Sequence, residues 1–412
     1  MTAKSNKAPL NVLYVENGIG YGGAIICLRH LVSNLDRERI EPFVVTGRTG
    51  PDYEPIANEA NWRWIRDRYV DTVGMREKLD KASWLSRIPG LRWILSQCIA
   101  RTDDVANFVP FFIRILLHAR HNRIDLIHVN NEPICNRAAL MAAKVLRIPT
   151  VCHVRGQQTG SRSIRWFYTL PDHFICVSNW VSEGIGRLGV KPERRTVIYD
   201  GIPLGKLDIN TDGKPFREKY GIADNDFAVG LVGLLIPWKG QELFLDAAKK
   251  AVSEIPNLKM LIVGGTPEEC EDFERHIRAR IVQEGLSDHV VLTGHQSDMM
   301  CVYNGLDVAV SASTMPEPLG TMVIETMAMG RPLIAPNHGG AAEMATDRET
   351  ALLFDPGSVE GLGQAIRELS ERPELRSELG IKAREAALAA FRIQQHVDRV
   401  TDVYAIVENS SQ

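Results

Sequence analysis

Short runs of β-branched and other apolar residues alternate along the chain with longer stretches whose apolar positions recur every three or four residues. Continuous apolar runs mark strands buried on both faces, and a 3.6-residue period marks amphipathic helices. The alternation therefore predicts βαβ units around parallel sheets. Strands are expected at Asn11–Val15, Pro42–Thr46, Leu126–Val129, Thr150–His153, Phe174–Val177 and Thr196–Tyr199. The theme restarts with Ala228–Val232, Lys259–Val263, Val290–Thr293, Val308–Ser311 and Leu333–Ala335. Between the halves, Gly201, Pro203, Gly205, Gly213 and Pro215 cluster among polar residues, the composition of a boundary. The expected class is α/β, with two successive Rossmann-like domains over 1–205 and 206–390 and a terminal helix over 391–412. Residues 70–124 fit this rhythm worst. They read as a helical insertion, basic and aromatic, carrying Trp84, Trp93, Phe108, Phe111 and Phe112.

With 44% hydrophobic and 24% charged residues in 412, the composition supports a core in each domain and excludes disorder or coiled coil as the main architecture. The most lipid-like stretch, Val105–Leu117, holds Pro110 and Arg114 and falls short of the roughly 20 residues of a spanning helix. No basic-then-apolar leader pattern opens the chain, and its seven cysteines are odd in number and widely spaced. Buried thiols in a reducing, cytoplasmic setting are expected. Charge is unevenly spread: 28 Lys and Arg face 19 Asp and Glu up to residue 205, against 20 and 32 beyond. The basic excess concentrates in 76–123, with Arg76, Lys78, Lys81, Arg87, Arg92, Arg101, Arg114, Arg120 and Arg123. Two readings of that region stand side by side: a solvated helical insertion, or peripheral contact with an anionic membrane at its inner face.

Several clusters could carry chemistry. Gly18, Gly20, Gly22 and Gly23 lie between a strand and a helix, where glycine lets backbone approach a phosphate or sugar and a helix N-terminus offers N–H groups. The acid that a dinucleotide site needs after the second strand is missing, since Gly47 and Arg48 stand there. A tight structural turn and a ligand loop both remain open. The second domain begins similarly, with Gly230, Gly233, Lys239 and Gly240; a lysine fixed at such a turn can act as a point charge on a diphosphate. Downstream, Glu317 precedes a helix expected from Thr321 to Met329, and Glu325 lies within it among Met322, Val323, Ile324 and Met327. The helix N-terminus between the two glutamates suits an anion, and the carboxylates suit sugar hydroxyls. Gly339, Gly340 and Glu343 follow the next strand, at the sheet edge where open α/β folds bind ligands. His153 ends a first-half strand ahead of Arg155. Asp224 and Asp226 read as turn residues rather than metal ligands.

Glu317 and Glu325, set after Lys239-Gly240 and before Gly339-Gly340 and Glu343, resemble the pattern of glycosyltransferase family 4. The resemblance extends over most of the chain through Gly22-Gly23, Asp125–His128, Val151–His153 and Val197–Pro203. It implies a retaining enzyme of GT-B fold, with parallel sheets facing across a cleft and the terminal helix returning to the first domain. It implies that Glu317, Lys239 and His153 are catalytic. Glu325 would bind ribose, Leu319 and Gly320 would hold sugar and phosphate, and Gly22, Gly23, Gly233, Arg155 and Glu343 would complete the donor site. The expected partners are a UDP or GDP sugar and a glycan or lipid-linked acceptor, as in polysaccharide or glycolipid synthesis; no cofactor, resident metal or nucleic acid is expected. One position departs: the family usually has arginine after the glycine at 233, and here it is Leu234. Losing one of two cationic contacts costs on the order of 2–4 kcal/mol of leaving-group stabilisation, and Arg155 is the candidate substitute. Two rivals stay in view: a sugar-nucleotide epimerase of the same fold and a non-catalytic nucleotide-sugar-binding module.

Overall fold

The computed structural model describes residues 8–18, 22–67, 75, 79, 90–156 and 162–410. Gly20, Arg76, Lys78, Lys81, Trp84 and Arg87 lie outside them. The chain divides into two compact units.

The first unit comprises Met1–Val177, Val181–Ile198 and Val397–Gln412. Its sheet has β1 (Leu10–Glu16), β2 (Ile40–Thr46), β3 (Asn61–Trp64), β4 (Leu126–Asn130), β5 (Thr150–Val154), β6 (His173–Cys176) and β7 (Arg195–Val197). The order is β3-β2-β1-β4-β5-β6-β7, every pair parallel. Val12, Leu13, Tyr14 and Val15 are fully buried, as a central strand covered on both faces requires. Helix Ile393–Ser410 supplies Tyr404, whose hydroxyl donates to Tyr14 at 3.1 Å and lies 2.6 Å from His128 Nδ1.

The second unit comprises Ser178–Trp180 and Tyr199–His396. Its strands are β8 (Phe227–Val232), β9 (Leu258–Val263), β10 (Val290–Gly294), β11 (Val308–Val310), β12 (Leu333–Pro336) and β13 (Leu352–Phe354). They run parallel in the order β10-β9-β8-β11-β12-β13. This is the doubly wound 3-2-1-4-5-6 arrangement, and the order reverses between β8 and β11.

The main division falls between Ile198 and Tyr199, a few residues before the expected boundary. Strands β3 and β13 were not anticipated. Asn-Trp-Arg-Trp is half-polar, and Leu-Leu-Phe is only three residues long, so neither makes a strong apolar run. Both are edge strands, which need cover on fewer sides.

Candidate functional site

In the second unit, loops after β8, β11 and β12 converge at the carboxyl edge, centred on the strand-order reversal. After β8 the chain turns through Gly233, held at φ 154°, and forms a short helical turn Pro237–Lys239. Gly240, at φ 82°, then opens helix Gln241–Ala251. A Cβ on Gly240 would sit 1.9 Å from the Ala312 carbonyl oxygen, so glycine is required for the β8 and β11 loops to meet. Thr314 N–H donates to the Trp238 carbonyl at 2.9 Å and fastens the two loops.

That junction places Lys239 Nζ 2.6 Å from Glu317 Oε2, both side chains largely buried. The Ser313 hydroxyl donates to Glu317 Oε1, and the Trp238 ring lies 4.8 Å from Lys239 Nζ. The third loop is equally tight. Gly340 N–H donates to the Glu317 carbonyl at 2.9 Å, and a Cβ there would come within 2.2 Å of the Leu319 carbonyl oxygen. Helix Thr321–Ala328 begins at Gly320, in the left-handed region at φ 87°. Among the described residues, the N–H groups of Leu319, Gly320 and Thr321 have no backbone acceptor. A helix start with open N–H groups beside a buried lysine suits an anion.

Glu325 is half-buried on that helix. Its Oε2 accepts from the buried Tyr303 hydroxyl at 2.8 Å, and burial raises its carboxyl above the ordinary range. Burial, with the Glu325 charge beside it, pushes the Tyr303 phenol well up too, so the proton stays on the phenol. Tyr303 was not singled out from the sequence, because its helix Met299–Gly305 carries no motif. Beyond β9 and β10 lies a cavity of about 310 Å³, lined by Leu235, Gly264, Gly265, Thr266, Arg278 and His295.

Glu343 does something other than expected. Its oxygens accept from the backbone N–H groups of Asn179 and Trp180, each at 2.7 Å, and from the Tyr199 hydroxyl at 3.1 Å. Those residues belong to the second unit with it.

The first unit also gathers residues at its strand-order reversal, between β1 and β4. Glu16 is buried; it accepts from Gly18 N–H at 2.8 Å, from Asn131 Nδ2 at 2.7 Å and from Asn130 Nδ2. Burial, with the Glu132 charge nearby, nevertheless raises its carboxyl from 4.5 to about 7, against the pull of Asn130, the Gly18 N–H and Arg155. Arg155, just after β5, donates through Nε to Asn130 Oδ1 at 2.8 Å. Glu16, Asn130 and Asn131 were missed because the sequence shows them scattered; only the sheet order makes them neighbours.

His153 is corrected by burial. It has no exposed surface, and its ring lies tilted at 5.4 Å from that of His128 inside the unit. Gly22 and Gly23 are exposed at the start of helix Gly23–Ser33, and a Cβ on either would meet nothing within 4 Å. Gly22 is extended at φ −155°, so neither packing nor conformation requires glycine there. Among the described residues no three His, Cys, Asp or Glu side chains cluster as metal ligands. Asp226 accepts from the Ala223 N–H at 2.7 Å, closing a turn.

These two doubly wound units have the architecture of the GT-B fold, and one carries a lysine–carboxylate pair and a helix start at its reversal point, a site suited to an anionic ligand. Comparison with known proteins gives the family. The profile of glycosyl transferases group 1 matches residues 212–386, and that of Glycosyltransferase Family 4 matches residues 21–206. The chain belongs to this glycosyltransferase family. EpsD of Bacillus subtilis is 31% identical over 190 residues, 46% of this chain and 48% of EpsD, so the chain spans about half the length of that relative. The N-acetyl-alpha-D-glucosaminyl L-malate synthase of Bacillus anthracis is 25% identical over 301 residues, covering 69% of this chain and 76% of that protein. Among solved structures, Anabaena HepE in complex with UDP and glucose superposes with a TM-score of 0.78 at 20% identity, over 96% of this chain and 99% of that one. A glycosyltransferase from Rickettsia africae gives 0.81 at 18%, over 97% and 98%. At these identities the structures establish the fold.

Proposed function

We propose that the protein transfers a sugar from a UDP or GDP donor to an acceptor hydroxyl with retention of configuration. The observation that carries this reading is the Lys239–Glu317 pair at 2.6 Å beside the open N–H groups of Leu319, Gly320 and Thr321. An arriving diphosphate competes for the Lys239 ammonium and takes up those N–H groups. Glu317, released from its lysine, then accepts from hydroxyls of the donor sugar. Glu325, held by Tyr303, accepts from the ribose, and the 310 Å³ cavity beyond β9 and β10 receives the base. In the transfer, the bond from the anomeric carbon to the diphosphate oxygen breaks and the acceptor oxygen bonds on the same face. The acceptor proton passes to the departing phosphate. Lys239 and the helix start stabilise the charge that develops there, which is the main catalytic contribution. HepE, solved with UDP and glucose, makes UDP-sugars the first donors to try.

One observation favours a second reading. Leu234, half exposed beside Gly233, stands where the family usually carries a second cation. A nucleotide-sugar-binding module without turnover would tolerate that loss.

The test is donor binding and nucleotide release across UDP-, GDP- and ADP-sugars, with Lys239→Ala and Glu325→Ala alongside. One donor should bind tightly and be split. Lys239→Ala should lower turnover about 30- to 1000-fold, the ~2–4 kcal/mol typical of a group that stabilises developing charge. Glu325→Ala should weaken binding chiefly. Binding without nucleotide release would favour the module, and no binding would end both readings.

A further inference from the structure

The sequence left residues 76–123 between a solvated insertion and a membrane contact, and the structure supplies the missing observation. Helix Leu91–Asp103 runs through a π-helical turn, Asp104–Phe108, into helix Val109–His121. One face of the latter buries Phe111, Ile115, His118 and Ala119 and packs on helix Arg137–Leu146 of the same unit. The other face is apolar and exposed. Val105, Val109, Ile113 and Leu117 repeat every fourth residue, with exposures of 72, 43, 48 and 57%, and Trp93 and Ile94 on the preceding helix are exposed at 68 and 51%. A face of large apolar side chains at i, i+4 spacing, exposed among the described residues, marks an interaction surface rather than scattered apolar exposure.

We propose that this face lies on an anionic lipid surface, its apolar stripe entering the headgroup boundary. Charge selects that occupant. Arg92, Arg101, Arg114 and Arg120 are all exposed along the same helical stretch, placed where they would meet lipid phosphates. Arg114 and Arg120 form no ion pair among the described residues. The carboxylate of Asp104 is offset by Arg101 at 2.9 Å and Arg137 at 3.3 Å, and the Arg101 side chain is still 75% exposed. Among the described residues no helix is long and apolar enough to cross a membrane. Arginines set among bulky apolar residues favour lying in the interface over spanning it.

Co-sedimentation of the full chain with vesicles of phosphatidylcholine, alone or mixed with phosphatidylglycerol, tests this without any sugar nucleotide. It therefore stands or falls apart from the donor reading. The chain should bind the mixed vesicles, and high salt should weaken that binding. Arg114→Gln with Arg120→Gln should cost about 25-fold, near fivefold per arginine removed from an anionic surface. Ile113→Ser with Leu117→Ser should cost roughly tenfold or more with unchanged thermal melting, since both side chains are exposed. Failure to bind mixed vesicles, or equal binding by the variants, would overturn the proposal. So would self-association, seen by sedimentation velocity, that is abolished by the serine variant: it would give the face to a second copy.

Discussion

Tyr303 donates its hydroxyl proton to Glu325 at 2.8 Å inside the second unit, and that bond fixes which carboxylate oxygen is left for a ligand. On the proposed ribose contact, Tyr303→Phe should raise the donor KM about 10- to 150-fold, the ~1.5–3 kcal/mol of a hydrogen bond to a charged group, with kcat nearly unchanged. The effect should vanish with a donor whose ribose lacks hydroxyls; persistence there would mean the bond is only structural. Glu16 makes a second prediction at this scale, on stability. Its folded pKa of about 7 lies above the value of 4.5 that it has when exposed. An acid shifted upward stabilises the fold below its unfolded pKa and loses that contribution as pH climbs through the folded one. Stability should therefore fall between about pH 4.5 and 7, by on the order of 3 kcal/mol for a shift this large. Denaturant midpoints at pH 5 and 8, compared with Glu16→Gln, check it. The variant should lack that part of the slope.

At the scale of elements, the second unit's site is a meeting of three turns, and glycine permits each approach. Gly240 clears the Ala312 carbonyl, Gly339 the Glu317 backbone and Gly340 the Leu319 carbonyl. Gly340→Ala puts a methyl group 2.2 Å from that oxygen, so the loop carrying Leu319 must move. The expected cost is about 1–3 kcal/mol of stability. Donor affinity should fall further, because the moving loop holds the helix start. Calorimetric melting alongside donor titration separates the two, and equal losses would argue that Leu319 and Gly320 take no part in binding. The glycines at 22 and 23 contrast with these: a Cβ on either would meet nothing within 4 Å.

For the whole molecule, the alternating pattern determined two doubly wound units, most of their strands and the carboxyl-edge position of Lys239, Glu317 and Glu325. It could do so because strands buried on both faces and helices buried on one write their periods directly into local sequence. The same local signals put the helix at Thr321 and located the basic, aromatic region. Edge strands β3 and β13 escaped, being short or half-polar. What local pattern could not decide was which side chains meet across elements, or which face an element leaves uncovered. Tyr303 on Glu325, Glu16 among Asn130 and Asn131, and Glu343 on the Asn179 and Trp180 N–H groups join residues from 22 to 164 positions apart. His153 showed the converse, a histidine at a strand end that sheet packing withdraws from solvent. The exposed stripe from Val105 to Leu117 is likewise a tertiary fact. The sequence spells an apolar helix, but only the packed unit shows which of its faces lies exposed among the described residues.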